Sequence, residues 1–272
     1  MISHSMTSDT ATLRIVLVRP KASANVGACA RAMKNFGLDS LYLVAPQCQR
    51  DRQAYALASH AGDVLDKAVV CSQLSDALQD VRYVLATSAR TRASDHPRYT
   101  PRSAMARYNT ATANTAILFG PEDFGLSNDD LKHCQGLIHI PTSAYASLNL
   151  AHAVQVIAYE HFISQHEPDA PHTAASQASA ADAATPLDSP HSPENLAPRE
   201  QYEAMYQQLI GMLERIGYTD AQRSAHAEQL FRRIFDRAQL DARELAALRG
   251  LWRQTLWAAE QSPETLSKTP PA

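Results

Sequence analysis

The chain has 272 residues, of which 45% are hydrophobic and 19% charged, and its formal net charge is −3. That length accommodates one full α/β domain plus a small second unit, each with a core of its own. The slightly acidic balance excludes a polycation, so any nucleic-acid contact must come from local basic clusters rather than from a global field.

Residues 1–12 are polar and read as a disordered N-terminus, with no apolar signal core. No later apolar run approaches a membrane span, so the chain is read as cytoplasmic and without a membrane partner. Cys29, Cys48, Cys71 and Cys134 show no paired metal-ligand spacing and are read as reduced thiols, so no metal is expected.

From residue 13 onward, short apolar runs at 13–18, 41–44, 68–71, 83–87, 115–119 and 137–140 read as strands covered on both faces. Helical patterns lie between them, at 26–36 (ended by Gly37) and 75–79, and a long one runs over 147–164. This order predicts an α/β fold: a mostly parallel sheet with helices on both faces, spanning 13–165.

Residues 166–198 are rich in Ala, Ser and Pro, hold five acids and no Lys or Arg, and read as a flexible acidic linker. A small helical unit follows over 199–261. Its first helix repeats Tyr202, Met205, Tyr206, Leu209, Met212, Leu213 and Ile216 at helical spacing. Its second carries Leu230, Phe231, Ile234 and Phe235, and its third opens at Asp241 with Glu244 three residues on, a capping-box pattern. Arg232, Arg233 and Arg237 on the second helix suggest phosphate contact, and 262–272 reads as a disordered tail.

No Gly-x-Gly-x-x-Gly follows the first strand, which disfavours a nicotinamide-dependent oxidoreductase. Three other segments stand out after strands. Asn25, Gly27 and Arg31 form an Asn-x-Gly-x-x-x-Arg pattern, with Asn25 a candidate helix cap and Gly27 a point of close backbone approach. On pattern alone the segment is equally a capped surface helix with a solvated Arg31. Gly120, Glu122, Gly125 and Leu126 follow the fifth strand, in a turn with Ser127 as N-cap of the next helix. Ser147-Leu148-Asn149-Leu150 opens the last long helix, with Ser147 a candidate N-cap and free N–H groups that favour a polar ligand. A fourth stretch carries Arg90, Arg92, Arg98, Arg102 and Arg107 against the single Asp95, interleaved with His96, Tyr99 and Tyr108. Arginine forks suit phosphates and the rings suit unpaired bases, so this stretch is a candidate RNA surface.

The three motifs, in this order, resemble the SpoU branch of the SPOUT methyltransferases over roughly residues 13–163. The resemblance implies a C-terminal trefoil knot, an exception to the rule against knotted chains. It also implies S-adenosylmethionine as cofactor, a homodimer with the 147–164 helix in its interface, and tRNA as substrate. The phrasing around Leu13, Thr87 and Ala153 and the helical extension are similar to members that methylate the ribose 2′-hydroxyl of nucleotide 32, a cytidine or uridine of the anticodon loop. By residue-wise carry-over, Thr87, Ser88, Ala89, Gly120, Ile140, Ala146, Ser147 and Leu148 would line the cofactor pocket. Asn25, Arg31, Glu122, Ser147 and Asn149 would form the catalytic set, and Arg90, Arg92, Arg98 and Arg102 would meet RNA. Pro121 stands where the family often has Arg, and the loop Thr142–Tyr145 is one residue shorter than the usual phrasing.

Overall fold

The computed structural model describes residues 12–89, 96–108, 113–143, 145, 147–166 and 196–261. Seven strands form one sheet in the order β3-β2-β1-β6-β4-β7-β5, and every pairing is parallel. The strands are β1 (Leu13–Val18), β2 (Leu41–Val44), β3 (Val69–Cys71), β4 (Tyr83–Thr87), β5 (Arg98–Tyr99), β6 (Thr115–Phe119) and β7 (Gly136–Ile138). The helices are α1 (Ser23–Asn35), α2 (Arg52–Ala58), α3 (Gly62–Lys67), α4 (Leu74–Ala77), α5 (Pro101–Arg107), α6 (Asn128–Leu131), α7 (Leu150–His166), α8 (Arg199–Arg215), α9 (Ser224–Ala238) and α10 (Ala242–Gln261).

The strand assignments follow from residue chemistry. β6 is buried along its whole length and β1 at five of six positions, because helices cover both faces and leave no side for polar residues. One core gathers Ile15, Leu17, Ile117 and Phe119 with α1, α5 and α7; the opposite one gathers Val16, Val18, Leu118 and Leu126 with α4 and α6. Strand order reverses between β1 and β6: β2 and β3 extend to one side, β4, β7 and β5 to the other. The crevice outside the carboxyl ends of strands at such a reversal is where open α/β sheets hold ligands.

Four elements are not visible in the periodicity. β5 is two residues long, α5 is a short helix started by Pro101 with Thr100 as its cap, and the α2–α3 region alternates too irregularly to read as one amphipathic face. Two expected caps are displaced. α1 begins at Ser23 after Ala22, so Asn25 lies inside the helix rather than at its cap. α7 begins at Leu150, and Asn149 rather than Ser147 caps it, its Oδ1 accepting from the Ala151 N–H at 2.9 Å. Gly27 does what its position suggested: a Cβ there would lie 2.0 Å from the Ala54 carbonyl oxygen, so only glycine lets α2 cross α1 this closely.

α8, α9 and α10 enclose a third core, with Met205, Leu209, Leu213, Leu245 and Trp252 buried. The Asp241–Glu244 capping box forms as read, with the Asp241 carboxylate accepting from Glu244 N–H and the Glu244 carboxylate from Asp241 N–H. This bundle packs on its own sheet domain: the Arg199 N–H donates to the Val81 carbonyl at 2.8 Å. Arg232 is buried, with its guanidinium on Glu203 and Glu228, which removes it from the phosphate contacts expected of that helix. Most of the expected linker, 167–195, lies outside the described residues, as do 1–11 and 262–272; Leu196 and Ala197 at its far end are buried.

Candidate active site

The site is built where the chain leaves β1 and β6. Gly120 ends β6, and a Cβ on it would lie 2.3 Å from the Gly125 carbonyl carbon and the Leu126 nitrogen. Gly125 takes a left-handed φ of 68° and donates its N–H to the Pro121 carbonyl at 3.0 Å. Two glycines thus close a tight loop, one by removing bulk and the other by adopting a backbone state that side chains disfavour. Glu122 sits on this loop.

The Glu122 carboxylate is the junction of the site. Its Oε1 accepts from Asn25 Nδ2 at 2.7 Å and from the Ala22 N–H at 3.2 Å, and its Oε2 accepts from the Lys21 N–H at 3.1 Å. α1 has no side-chain cap of its own. Glu122 supplies that function from another part of the chain, placing negative charge at the positive end of the helix dipole. Asn25 Oδ1 in turn accepts from Asn149 Nδ2 at 3.1 Å. Donors therefore point in one direction, from Asn149 to Asn25 to Glu122, and the two amides have one orientation each.

This network joins all three motif segments. α1 and α7 run side by side in the same sense, since Asn25 meets Asn149 at their starts and Phe36 meets Tyr159 and Phe162 further along. Arg31 lies on α1 about 9 Å along the axis from Asn25. It is exposed and makes no hydrogen bond or ion pair among the described residues. Ser147 and Leu148 are exposed beside Asn149.

The expected cofactor residues collect on the neighbouring strand ends. Thr87 Oγ1 donates to the Leu118 carbonyl at 3.0 Å, the Ser88 N–H donates to the Ile138 carbonyl at 3.0 Å, and Ile140 follows two residues after β7. Thr87, Ser88, Ala89, Gly120 and Ile140 thus share the carboxyl edge of β6-β4-β7; Ala146 lies outside the described residues. His139, which sequence reasoning passed over, holds this edge as well: its N–H donates to the Tyr99 carbonyl, and Nδ1 lies 3.3 Å from the Ser88 carbonyl oxygen. Its position directly after a strand was the available signal. Tyr145 and Leu148, in the segment that leads into α7, are both exposed.

Of the expected RNA residues, Arg90 and Arg92 lie outside the described residues. Arg98 is exposed on β5 at the sheet edge. Arg102 on α5 is not a free cation: its Nε and Nη2 donate to Glu160 of α7 at 3.2 and 3.3 Å. RNA reaching Arg102 must compete with that carboxylate.

Burial pushes the Glu122 carboxyl up, but the Asn25 amide and the backbone N–H groups outweigh it and hold the group below its ordinary value of 4.5. A carboxylate with a depressed folded pKa stabilises the fold above its unfolded pKa, and that contribution is lost as pH falls through the folded value. We expect Glu122→Gln, which sets an amide NH2 against either the Lys21 N–H or the Asn25 and Ala22 donors, to unfold at lower urea than the wild type at pH 7. The gap should shrink on acidification below 4.5. Urea midpoints measured across that range check this; a gap independent of pH would refute the carboxylate's role as junction.

Comparison with known proteins gives one answer at several levels. The SpoU rRNA Methylase family model matches residues 12–159, and the model for the tRNA methyltransferase TrmJ C-terminal domain matches residues 200–264. A tRNA (cytidine/uridine-2′-O-)-methyltransferase TrmJ of Sodalis glossinidius (strain morsitans) is 36% identical over 256 residues, covering 93% of this chain and 94% of the relative. A tRNA (cytidine/uridine/adenosine-2′-O-)-methyltransferase TrmJ of Pseudomonas aeruginosa (strain UCBPP-PA14) is 34% identical, covering 89% of this chain and 93% of the relative. Among solved structures, TrmJ from Z. mobilis ZM4 superposes with a TM-score of 0.73 at 32% identity, covering 90% of this chain and 99% of that one. With its sheet domain and its helical unit both matched in a single register, the chain belongs to the SpoU rRNA methylase family.

Proposed function

We propose that the chain is a tRNA 2′-O-methyltransferase that transfers a methyl group from S-adenosylmethionine to the ribose of nucleotide 32 in the anticodon loop. The observation that carries this reading is the Glu122–Asn25–Asn149 network, which draws three motif segments into one site at the strand-order reversal. The cofactor supplies a methyl already activated on a sulfonium, so the protein's task is alignment and management of the 2′-hydroxyl proton.

Arg31 is an exposed cation on α1 with no partner among the described residues. An arginine stays protonated at neutral pH, so it acts as a clamp on an RNA phosphate and stabilises alkoxide charge as the hydroxyl proton leaves to solvent. Asn25, Glu122, Ser147 and Asn149 hold the motif loops and the ribose in register. Thr87, Ser88, Ala89, Gly120, Ile140, Ala146 and Leu148 bind the cofactor, in a segment with the family's knotted path. Partly exposed Val156, Phe162 and Ile163 beside exposed Tyr159 support pairing of two copies through α7. A tRNA substrate assigns the protein to the cytoplasm.

The test is to incubate purified protein with labelled S-adenosylmethionine and a tRNA transcript, then map the modified nucleotide. Label on the ribose of nucleotide 32 is expected. Label on a different ribose would move the enzyme to another target, and absence of both transfer and cofactor binding would make it a non-catalytic RNA-binding protein.

A further inference from the structure

The loop from Pro121 to Ser127 has two sides. One carries Glu122 against the start of α1. The other walls an open cleft of about 440 Å³ at the ends of β1 and β2, lined by Arg19, Lys21, Gln47, Phe124, Leu126 and Ser127 among others. That volume lies within the roughly 300–1,000 Å³ of ordinary ligand sites, and the cleft sits at the same strand-order reversal as Glu122.

Two features bear on what this cleft could take. Arg19 and Ala45, the first residues after β1 and β2, both take left-handed φ angles (51° and 44°) although neither is glycine. Strained backbone of this kind gathers at functional sites, where it re-aims the chain. Phe124 is 67% exposed, and the Lys21 ammonium lies 5.2 Å from the centre of its ring. An exposed phenylalanine beside a cation is a stacking platform for a π-system.

The charges say which kind of π-system. Arg19 is ion-paired with Asp130, and Lys21 with Asp123 at 2.5 Å. With Glu122 close by, the cations are matched by carboxylates, so the cleft does not favour a phosphate. The Gln47 side chain makes no hydrogen bond among the described residues and offers both a donor and an acceptor. A planar, neutral ligand with a mixed hydrogen-bonding edge fits these partners.

We propose that this cleft takes an unpaired nucleobase of the RNA next to the methylated nucleotide, stacked on Phe124 and met at its edge by Gln47. The inference rests on the RNA-methylating reading above and adds to it a base subsite on the far side of the Glu122 loop.

Steady-state methylation of a tRNA transcript by the full-length chain tests it. Phe124→Leu keeps the apolar bulk but loses the ring, and its KM for tRNA should rise on the order of tenfold. Its KM for S-adenosylmethionine should not move, and kcat at saturating tRNA should fall far less. Phe124→Trp should restore tRNA affinity. A transcript with 5-bromouridine on either side of nucleotide 32 should cross-link to the peptide holding Phe124. Unchanged tRNA KM in Phe124→Leu, as expected if the cleft serves a protein partner, would overturn the proposal, as would cross-links that spare residues 121–127. If the wild-type protein methylates no tRNA, the activity reading fails instead, and the cross-link, which needs only binding, still decides the cleft.

Discussion

Lysine in place of Arg31 is expected to lower kcat for tRNA methylation on the order of 10²-fold while S-adenosylmethionine still binds. The magnitude is that of removing one preorganised donor from a developing oxyanion. Lysine keeps the positive charge, so a purely electrostatic role would spare most of the activity. The fork is what is lost: guanidinium holds a phosphate through two parallel N–H groups, and an ammonium is a single point. Arg31 is exposed and has no partner among the described residues, so the substitution should leave the fold intact. Single-turnover kinetics with saturating cofactor separate the chemical step from binding, and calorimetry with S-adenosylmethionine checks the pocket. Wild-type turnover in Arg31→Lys would remove this residue from the mechanism.

Methionine in place of Arg199 is expected to destabilise the docked helical unit by about 3–5 kcal/mol, the cost of breaking a buried pair from one side. The Arg199 side chain is only 1% exposed and lies between two acids, with Nη1 2.5 Å from Asp236 and Nε 3.2 Å from Glu203. Tyr206 donates its hydroxyl to the same Asp236 carboxylate at 2.9 Å. The network crosses to the sheet domain, since Arg199 Nη2 reaches the Lys132 carbonyl at 3.4 Å and His133 lies 3.4 Å from Glu203. Burial pushes the Glu203 carboxyl up, but Arg232, His133 and Arg199 hold it far below the usual carboxylate range. Arg199→Met would strand Asp236 in a dry interface. Adding Asp236→Asn should return much of the loss, because the orphaned charge goes with it. Urea unfolding of the two variants measures this, and a wild-type midpoint in Arg199→Met would mean that the network does not hold the unit in place.

The sheet was legible because its strands are buried on both faces. Runs such as 13–18 and 115–119 are apolar but for Arg14 and Thr115, and their boundaries match the structure. Legibility failed where an element owes its existence to tertiary partners. β5 is a strand because β7 lies alongside it, with Arg98 opposite Leu137. The caps failed for the same reason. Asn25 has the chemistry of an N-cap, yet a carboxylate from the loop after β6 fills that need, which frees Asn25 to bridge towards Asn149. Sequence picked out Asn25, Glu122 and Asn149 as polar groups in the three motif segments, and the structure bonds them to one another. Sequence could not say which of them bond to one another, because their partners lie about a hundred positions away. Arg232 misled in the opposite way: a basic side chain on a helix looks solvated until Glu203, from the neighbouring helix, is seen against it.

The remote capping of α1 bears on how the protein matures. The acceptor for the Ala22 N–H stands 100 residues downstream, so a chain still emerging from the ribosome carries a first helix whose leading turn is open. That turn closes only after β6 has inserted beside β1 and its loop has folded back. The link from Asn149 to Asn25 can form only later still, once the start of α7 has been synthesised.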